Sequence, residues 1–201
     1  RRLMGELAAA GVPDGVVEMV SGDHTVAQRL AMARGVDAVT FTGSDLGGYA
    51  MQEACGRRVI PLQAELGGNN AAIVWDDADL GVAAAQIASG AFAFAGQRCT
   101  ANRRAIVAEG VYESFLGEVA AATARMAWGD PLEEETEIGP LISVAHRDRL
   151  AGILERAKGR AAVREVIVPH APGATDRPWE RAGAYWAPRI VCCEDPADVV
   201  V

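Results

Sequence analysis

The sequence predicts an α/β protein built from parallel βαβ units, and three observations carry that prediction. Short β-branched runs alternate with amphipathic helical stretches. Glycines, prolines and capping residues punctuate the alternation. Half of the 201 residues are hydrophobic, enough to bury a core.

Arg1–Ala10 has helical periodicity, with Leu3 and Leu7 on one face, and Gly11 and Pro13 stop it. Val16–Val20 is a short β-branched run and predicts a strand. Thr25–Arg34 reads as a helix capped by Asp23 or Thr25 and ended by Gly35. Val36–Phe41 predicts the next strand. A glycine-rich corner, Thr42-Gly43-Ser44-Asp45-Leu46-Gly47-Gly48, then leads into a helix to about Cys55. Val59–Leu66 predicts a third strand, and right-handed crossovers are expected between parallel neighbours. Gly67-Gly68 breaks the alternation and marks a domain boundary, giving segments 1–67 and 68–201.

The second segment opens with a strand over Ala71–Trp75, and Asp76–Asp79 cap a helix running to about Ala95. A strand (Ala105–Ala108), a helix (Tyr112–Met126), an acidic loop, a helix (Val144–Lys158) and strands over Val166–Val168 and Trp186–Val191 follow. The loop Glu133-Glu134-Glu135-Thr136-Glu137 reads as a solvated connection.

Composition narrows the function classes. A net charge of −8 argues against nucleic acid or an anionic membrane as partner. Val82 to Gly96 is the most apolar stretch, but Gln86 and Ser89 interrupt it, and a membrane span needs about 18 apolar residues. Four cysteines, two of them adjacent (Cys192, Cys193), do not form a secreted disulfide framework, so a reducing, cytoplasmic compartment is expected. The chain starts on Arg1 within a helix and ends on Val199-Val200-Val201, which reads as an internal piece of a longer protein.

Three places carry candidate chemistry. At the corner after Val36–Phe41, a strand runs into a small-residue turn and a helix. Free backbone N–H groups and the positive end of the helix dipole suit a phosphate there. Ser44 adds a hydroxyl, and Gly43, Gly47 and Gly48 let a ligand approach the backbone. The glycines do not follow G-x-G-x-x-G, so the corner reads either as a phosphate site or as an ordinary glycine-rich turn. Glu65, at a strand's carboxyl end, reads either as an exposed terminus or as a base. In the second case burial between Ala64 and Leu66 would raise its pKa into a working range. Cys99, beside Arg98 in Gly96-Gln97-Arg98-Cys99-Thr100, reads either as a small buried hydrophobe or as a nucleophile ionised by a cationic neighbour. Cys55, Cys192 and Cys193 read as the former, and no Cys or His spacing indicates a metal site.

Taken together, Phe41-Thr42-Gly43-Ser44, Glu65-Leu66-Gly67-Gly68 and Gly96-Gln97-Arg98-Cys99 resemble the aldehyde dehydrogenase superfamily, in the family's order and with its separation between Glu65 and Cys99. Gly11-Val12-Pro13-Asp14-Gly15-Val16-Val17, Asp76–Leu80, Gly129-Asp130-Pro131 and Gly139-Pro140-Leu141 extend the match over essentially the whole chain. The resemblance implies a three-layer fold: part of a Rossmann-type NAD(P)-binding sheet over 1–67, then most of an α/β catalytic domain over 68–201. It implies Cys99 as nucleophile and Glu65 as general base. It implies Gly43, Ser44, Gly47, Gly48 and Leu66 around the cofactor, with Gly22 toward its adenine end. NAD or NADP is the implied cofactor, NAD ahead of NADP. A small aldehyde is the implied substrate, and a homodimer or homotetramer the implied parent.

The resemblance further implies water over coenzyme A as acyl acceptor, because family members that use coenzyme A tend to lack an acid where Glu65 stands, so a free acid is the expected product. Asn69-Asn70 stands where the family commonly has Lys. With Arg103 and Arg104 this is similar to the succinylglutamate-semialdehyde dehydrogenase branch, although Ala71 replaces that branch's Pro. The amino-acid semialdehydes are therefore candidate substrates. Arg103 and Arg104 are themselves expected as exposed strand residues. Family members are more than twice this length, so these residues alone are expected to have no turnover. A coenzyme-A-acylating enzyme and a non-catalytic binding module are the rival classes; intact Cys99, Glu65 and Gly43–Gly48 argue against degeneracy.

Overall fold

The computed structural model describes residues 2–158, 163–167 and 183–193. By its internal contacts the chain divides into two compact units, Arg1–Gly67 and Gly68–Val201.

The first unit holds α1 (Arg2–Ala9), α2 (His24–Met32), β1 (Val39–Thr42), α3 (Asp45–Arg58) and β2 (Leu62–Glu65). β1 and β2 pair in parallel, from Val39 opposite Leu62 to Thr42 opposite Glu65. The α3 helix between them is the crossover that a parallel pair requires. Ala31 of α2 and Met51, Ala54 and Cys55 of α3 are buried, and these two helices pack on one another. Arg58 reinforces that packing. Its guanidinium donates to the carbonyl of Ala31 (2.6 Å), left open at the end of α2, and to that of Val36 (2.7 Å) in the loop beyond.

Asp23 is the N-cap of α2, accepting from the N–H groups of Thr25 and Val26. The Thr25 hydroxyl bond, followed by those two backbone bonds, holds the Asp23 carboxyl below its ordinary value of 3.8. A depressed carboxylate stabilises the fold above its unfolded pKa and loses that contribution as pH falls through the folded value. Asp23→Ala is therefore expected to lower the melting temperature at neutral pH. The gap from the unsubstituted protein should close as pH falls below 3.8, and melting curves across pH check this.

Three sequence expectations are corrected in this unit, and the first is Val36–Phe41, whose strand begins only at Val39, where pairing with β2 starts, and ends at Thr42. Val16–Val20 is irregular backbone and not a strand. Its β-branched residues favour extension, but no strand among the described residues pairs with it, and Val16, Val17, Met19 and Val20 are exposed. The expected strand Val59–Leu66 starts later, at Leu62, because α3 continues to Arg58 and Val59 closes it in the left-handed region (φ 55°). A β-branched residue is strained there by about 1–2 kcal/mol. Val59 is 91% exposed, so glycine removes the strain without leaving a cavity. Val59→Gly is expected to stabilise by about 1 kcal/mol and to raise Tm by a few degrees in a calorimetric scan.

The second unit holds β3 (Asn70–Val74), α4 (Leu80–Phe92), β4 (Asn102–Val107), α5 (Tyr112–Arg125), α6 (Val144–Lys158), β5 (Val163–Ile167) and β6 (Arg189–Cys193). β3 and β4 pair in parallel, whereas β5 and β6 pair antiparallel. Val74, Ala84, Ala88, Phe115, Val119 and Ala122 form its core, with small side chains on α4 letting α5 approach closely. Asp79 caps α4 through the Val82 N–H. The helix expected to reach Ala95 stops at Phe92, because a 3₁₀ turn over Ala93–Gly96 follows, with Phe94 and Ala95 in left-handed conformations. The acidic loop is closed by a bridge between Trp128 and Ile138.

The strand expected over Trp186–Val191 begins at Arg189 and runs to Cys193, the stretch that faces β5. Val168, the end of the other expected strand, and the apolar run Val199–Val201 lie outside the described residues. No helix among the described residues is long and apolar enough to cross a membrane, and no cluster of metal-ligating side chains occurs among them.

Candidate active site

The parallel register brings the first two candidate places together. Thr42 and Glu65 lie opposite one another at the carboxyl ends of β1 and β2, where open α/β sheets bind ligands. The Gly43 N–H donates to the Glu65 carbonyl (3.1 Å), tying the glycine corner to the end of β2. Ser44 is the N-cap of α3, its Oγ accepting from the Gly47 N–H at 3.3 Å. The Ser44 hydroxyl proton and the N–H groups of Asp45 and Leu46 remain without a partner among the described residues.

The glycines let neighbouring side chains pack closely over the corner. A Cβ on Gly43 or Gly47 would stand 2.5 and 2.6 Å from the Phe41 ring, and one on Gly48 would stand 2.6 Å from Leu66. Leu66 is thus laid across Gly48, on the same corner as Gly43, Ser44 and Gly47. Gly22 is elsewhere: it lies in the turn before α2, where a Cβ would stand 2.4 Å from Val26. Glu65 is exposed, as is Ala64, which matches the reading of an exposed strand terminus and not that of a carboxylate buried between its neighbours.

Cys99 belongs to the second unit and is exposed, which excludes the reading of a small buried hydrophobe. Of the other cysteines, Cys55 and Cys192 are buried, as expected, but Cys193 is exposed because strand alternation turns it to the opposite face from Cys192. The chain reaches Cys99 through the strained Phe94–Ala95 pair and Gly96 (φ 68°), whose Cβ would stand 2.8 Å from the Ala91 carbonyl. Arg98 lays its guanidinium over the Phe94 ring, 5.3 Å from the centroid.

Side-chain amides then hold this turn on both sides. Gln97 Nε2 donates to the carbonyls of Phe94 (3.2 Å) and Pro140 (3.1 Å), while its Oε1 accepts from the Ile142 N–H at 2.7 Å. Asn70 Nδ2 donates to the carbonyls of Cys99 (2.6 Å) and Ala101 (3.0 Å). Arg104 donates to the Asn69 carbonyl (2.8 Å), and Arg103 and Arg104 are exposed as expected. Sequence reasoning quoted Asn70 and Gln97 within motifs but assigned them no role at the site. The available signal was an amide side chain flanking a turn rich in open carbonyls.

A parallel β-strand pair with a glycine corner and a carboxylate at its carboxyl end in the first unit, and an exposed cysteine on a braced turn beside a second parallel pair in the other, place the chain in the α/β class. Comparison narrows the class: the chain matches the Aldehyde dehydrogenase family over residues 2–199 and belongs to it. It is 40% identical to betaine aldehyde dehydrogenase 2 of Rhizobium meliloti over 156 residues, covering 78% of this chain and 32% of that protein. It is 42% identical to the alpha-ketoglutaric semialdehyde dehydrogenase of Bacillus subtilis over 154 residues, covering 76% and 32%.

Among solved structures, it is similar to the NADP-dependent glyceraldehyde-3-phosphate dehydrogenase of Bacillus halodurans complexed with NADP. The TM-score is 0.84 at 31% identity, over 99% of this chain and 39% of that one. The chain therefore spans about a third of the length of the curated relatives it matches.

Proposed function

We propose that the whole protein to which these residues belong oxidises an aldehyde to its carboxylic acid with NAD or NADP, and that Cys99 is its nucleophile. The observation that carries the reading is the exposed Cys99 on a turn held from both sides by side-chain amides. The family and its dehydrogenase members support it.

Residues 1–67 are read as part of the dinucleotide-binding domain. The Asp45 and Leu46 N–H groups and the Ser44 hydroxyl suit a phosphate at the start of the 14-residue α3, and the packed glycines keep that surface free of side chains. Leu66 offers an apolar contact beside it, and Gly22 is read as the residue toward the adenine end. When bound, the dinucleotide supplies a hydride acceptor. Residues 68–201 are read as catalytic.

The Cys99 thiolate attacks the carbonyl carbon, forming a C–S bond as the carbonyl electron pair moves onto oxygen. The Cys99 N–H donates to that oxygen, a contribution of about 3 kcal/mol in comparable sites. Loss of hydride from this thiohemiacetal leaves a thioester. Glu65 takes a proton from water, the hydroxide adds to the thioester carbon, and the C–S bond breaks to release the acid and restore the thiolate. A carboxylate exposed at a strand end has water at hand for this step.

The reading places the protein in a reducing, cytoplasmic compartment, where a thiol nucleophile persists, and in a homodimer or homotetramer. Amino-acid-derived semialdehydes are the favoured substrates. The resemblance to a semialdehyde branch supports this, as does the Bacillus subtilis relative. The test follows reduced-dinucleotide absorbance with NAD or NADP and a panel of betaine aldehyde, alpha-ketoglutaric semialdehyde and succinylglutamate semialdehyde. Reduction with a semialdehyde is expected. Reduction with no aldehyde by a folded protein that binds the dinucleotide would leave a binding module. A product rate raised by coenzyme A would replace water as the acceptor.

A further inference from the structure

This inference deepens the proposed function and rests on Cys99 being the nucleophile. The Cys99 turn is held by Asn70, the first residue of β3, whose amide nitrogen reaches the carbonyls of both Cys99 (2.6 Å) and Ala101 (3.0 Å). Both partners are acceptors, so only the NH₂ end of the amide can face them; the reversed amide would bring three oxygens together. Ala101 is 1% exposed and Cys99 is exposed, so the amide ties the free end of the turn to its packed end.

Local backbone aims the amide. The ladder shifts register at this residue: Asn70 pairs with Asn102 but Ala71 with Arg104, leaving Arg103 extra on β4. A bulge of this kind redirects side chains next to it. Gly68 keeps the space open, since a Cβ there would stand 3.3 Å from both the Cys99 carbonyl and the Asn70 amide oxygen. Gln97 fixes the opposite flank of the turn against Pro140 and Ile142.

We propose that Asn70 is a positioning residue for the reaction: it fixes the Cys99–Thr100 peptide plane, and through it the direction in which Sγ meets the aldehyde carbon. A loose nucleophile loses rate through geometry and not through substrate affinity.

The test compares Asn70→Asp and Asn70→Ala in the whole protein, with Cys99→Ala alongside. Asn70→Asp keeps the shape but turns oxygen against two carbonyls. Asn70→Ala only removes the donors. The expected order of kcat is Asn above Ala above Asp, with Asp reduced on the order of 100-fold and KM for the aldehyde within about twofold. A side chain that served only to fill space would rank Asp above Ala, and that order overturns the proposal. Full kcat in both variants overturns it as well.

Should Asn70→Asp fail to fold, Asn70→Ala decides alone: a lowered kcat at unchanged KM supports the role, and a kcat within about twofold of the unsubstituted protein refutes it. Activity retained in Cys99→Ala removes the nucleophile reading and this proposal with it. An inactive Cys99→Ala beside a fully active Asn70→Asp removes only the positioning role.

Discussion

Cys99→Ala in the whole protein is expected to abolish aldehyde-dependent reduction of the dinucleotide, a loss on the order of 10⁴-fold or more. The expectation follows from the reaction's order. Direct hydride loss from an aldehyde would place positive charge on the carbonyl carbon, whereas the thiohemiacetal starts from a tetrahedral carbon with an electron-rich oxygen. Alanine removes the only atom at this position that can form the C–S bond, so no later step can begin. The neighbouring braces are untouched: Asn70 and Gln97 bond to main-chain groups and not to the Cys99 side chain. Dinucleotide affinity and the melting temperature should therefore hold, and equilibrium binding with a thermal scan checks both. A variant that lost rate and affinity together would instead indicate a damaged fold.

Glu65→Gln is expected to separate the two halves of the reaction. Glutamine matches the shape of glutamate and keeps an oxygen acceptor, but it cannot take a proton from water at neutral pH. Attack by Cys99 and hydride loss do not need that proton transfer, whereas hydrolysis of the thioester does. Rapid mixing should show a burst of reduced dinucleotide equal to the concentration of sites, followed by a steady rate lowered roughly 10²- to 10⁴-fold. A lowered rate without a burst would place Glu65 before the thioester. The backbone role of this residue survives the change, because Gly43 is held by its carbonyl and not by its side chain.

The parts of this protein legible in the sequence are those decided locally. Asp76–Asp79 ahead of an apolar run states a helix start by its chemistry alone, and the structure caps α4 at Asp79. Val144–Lys158 is a helix at the residues expected: no proline interrupts the run, and its one glycine, Gly152, does not break it. Where a partner decides, the reading fails. Val16–Val20 has strand composition but no ladder among the described residues, so propensity had nothing to act on.

The end of α4 fails for a different reason. Nothing in the apolar run Phe92-Ala93-Phe94-Ala95 signals that Phe94 and Ala95 adopt left-handed conformations. The same division holds at the site. Cys99 and the glycine corner stand out as residue types in short motifs. The Asn70 and Gln97 braces join residues 29 and 43 positions apart, and only folding shows which carbonyls they meet. Glu65 reads either as an exposed strand terminus or as a partly buried base, and which of the two holds depends on what packs over the strand end; the structure leaves it exposed.

The central claim, that Cys99 carries the substrate as an acyl group, has a direct measurement. The whole protein with Glu65→Gln is mixed with dinucleotide and a reactive aldehyde, quenched in acid and digested, and the peptide containing Cys99 is weighed by mass spectrometry. The account predicts a mass gain equal to the acyl group on Cys99, dependent on the dinucleotide and reversed by hydroxylamine. An unmodified Cys99 in a sample that has reduced its dinucleotide would contradict it.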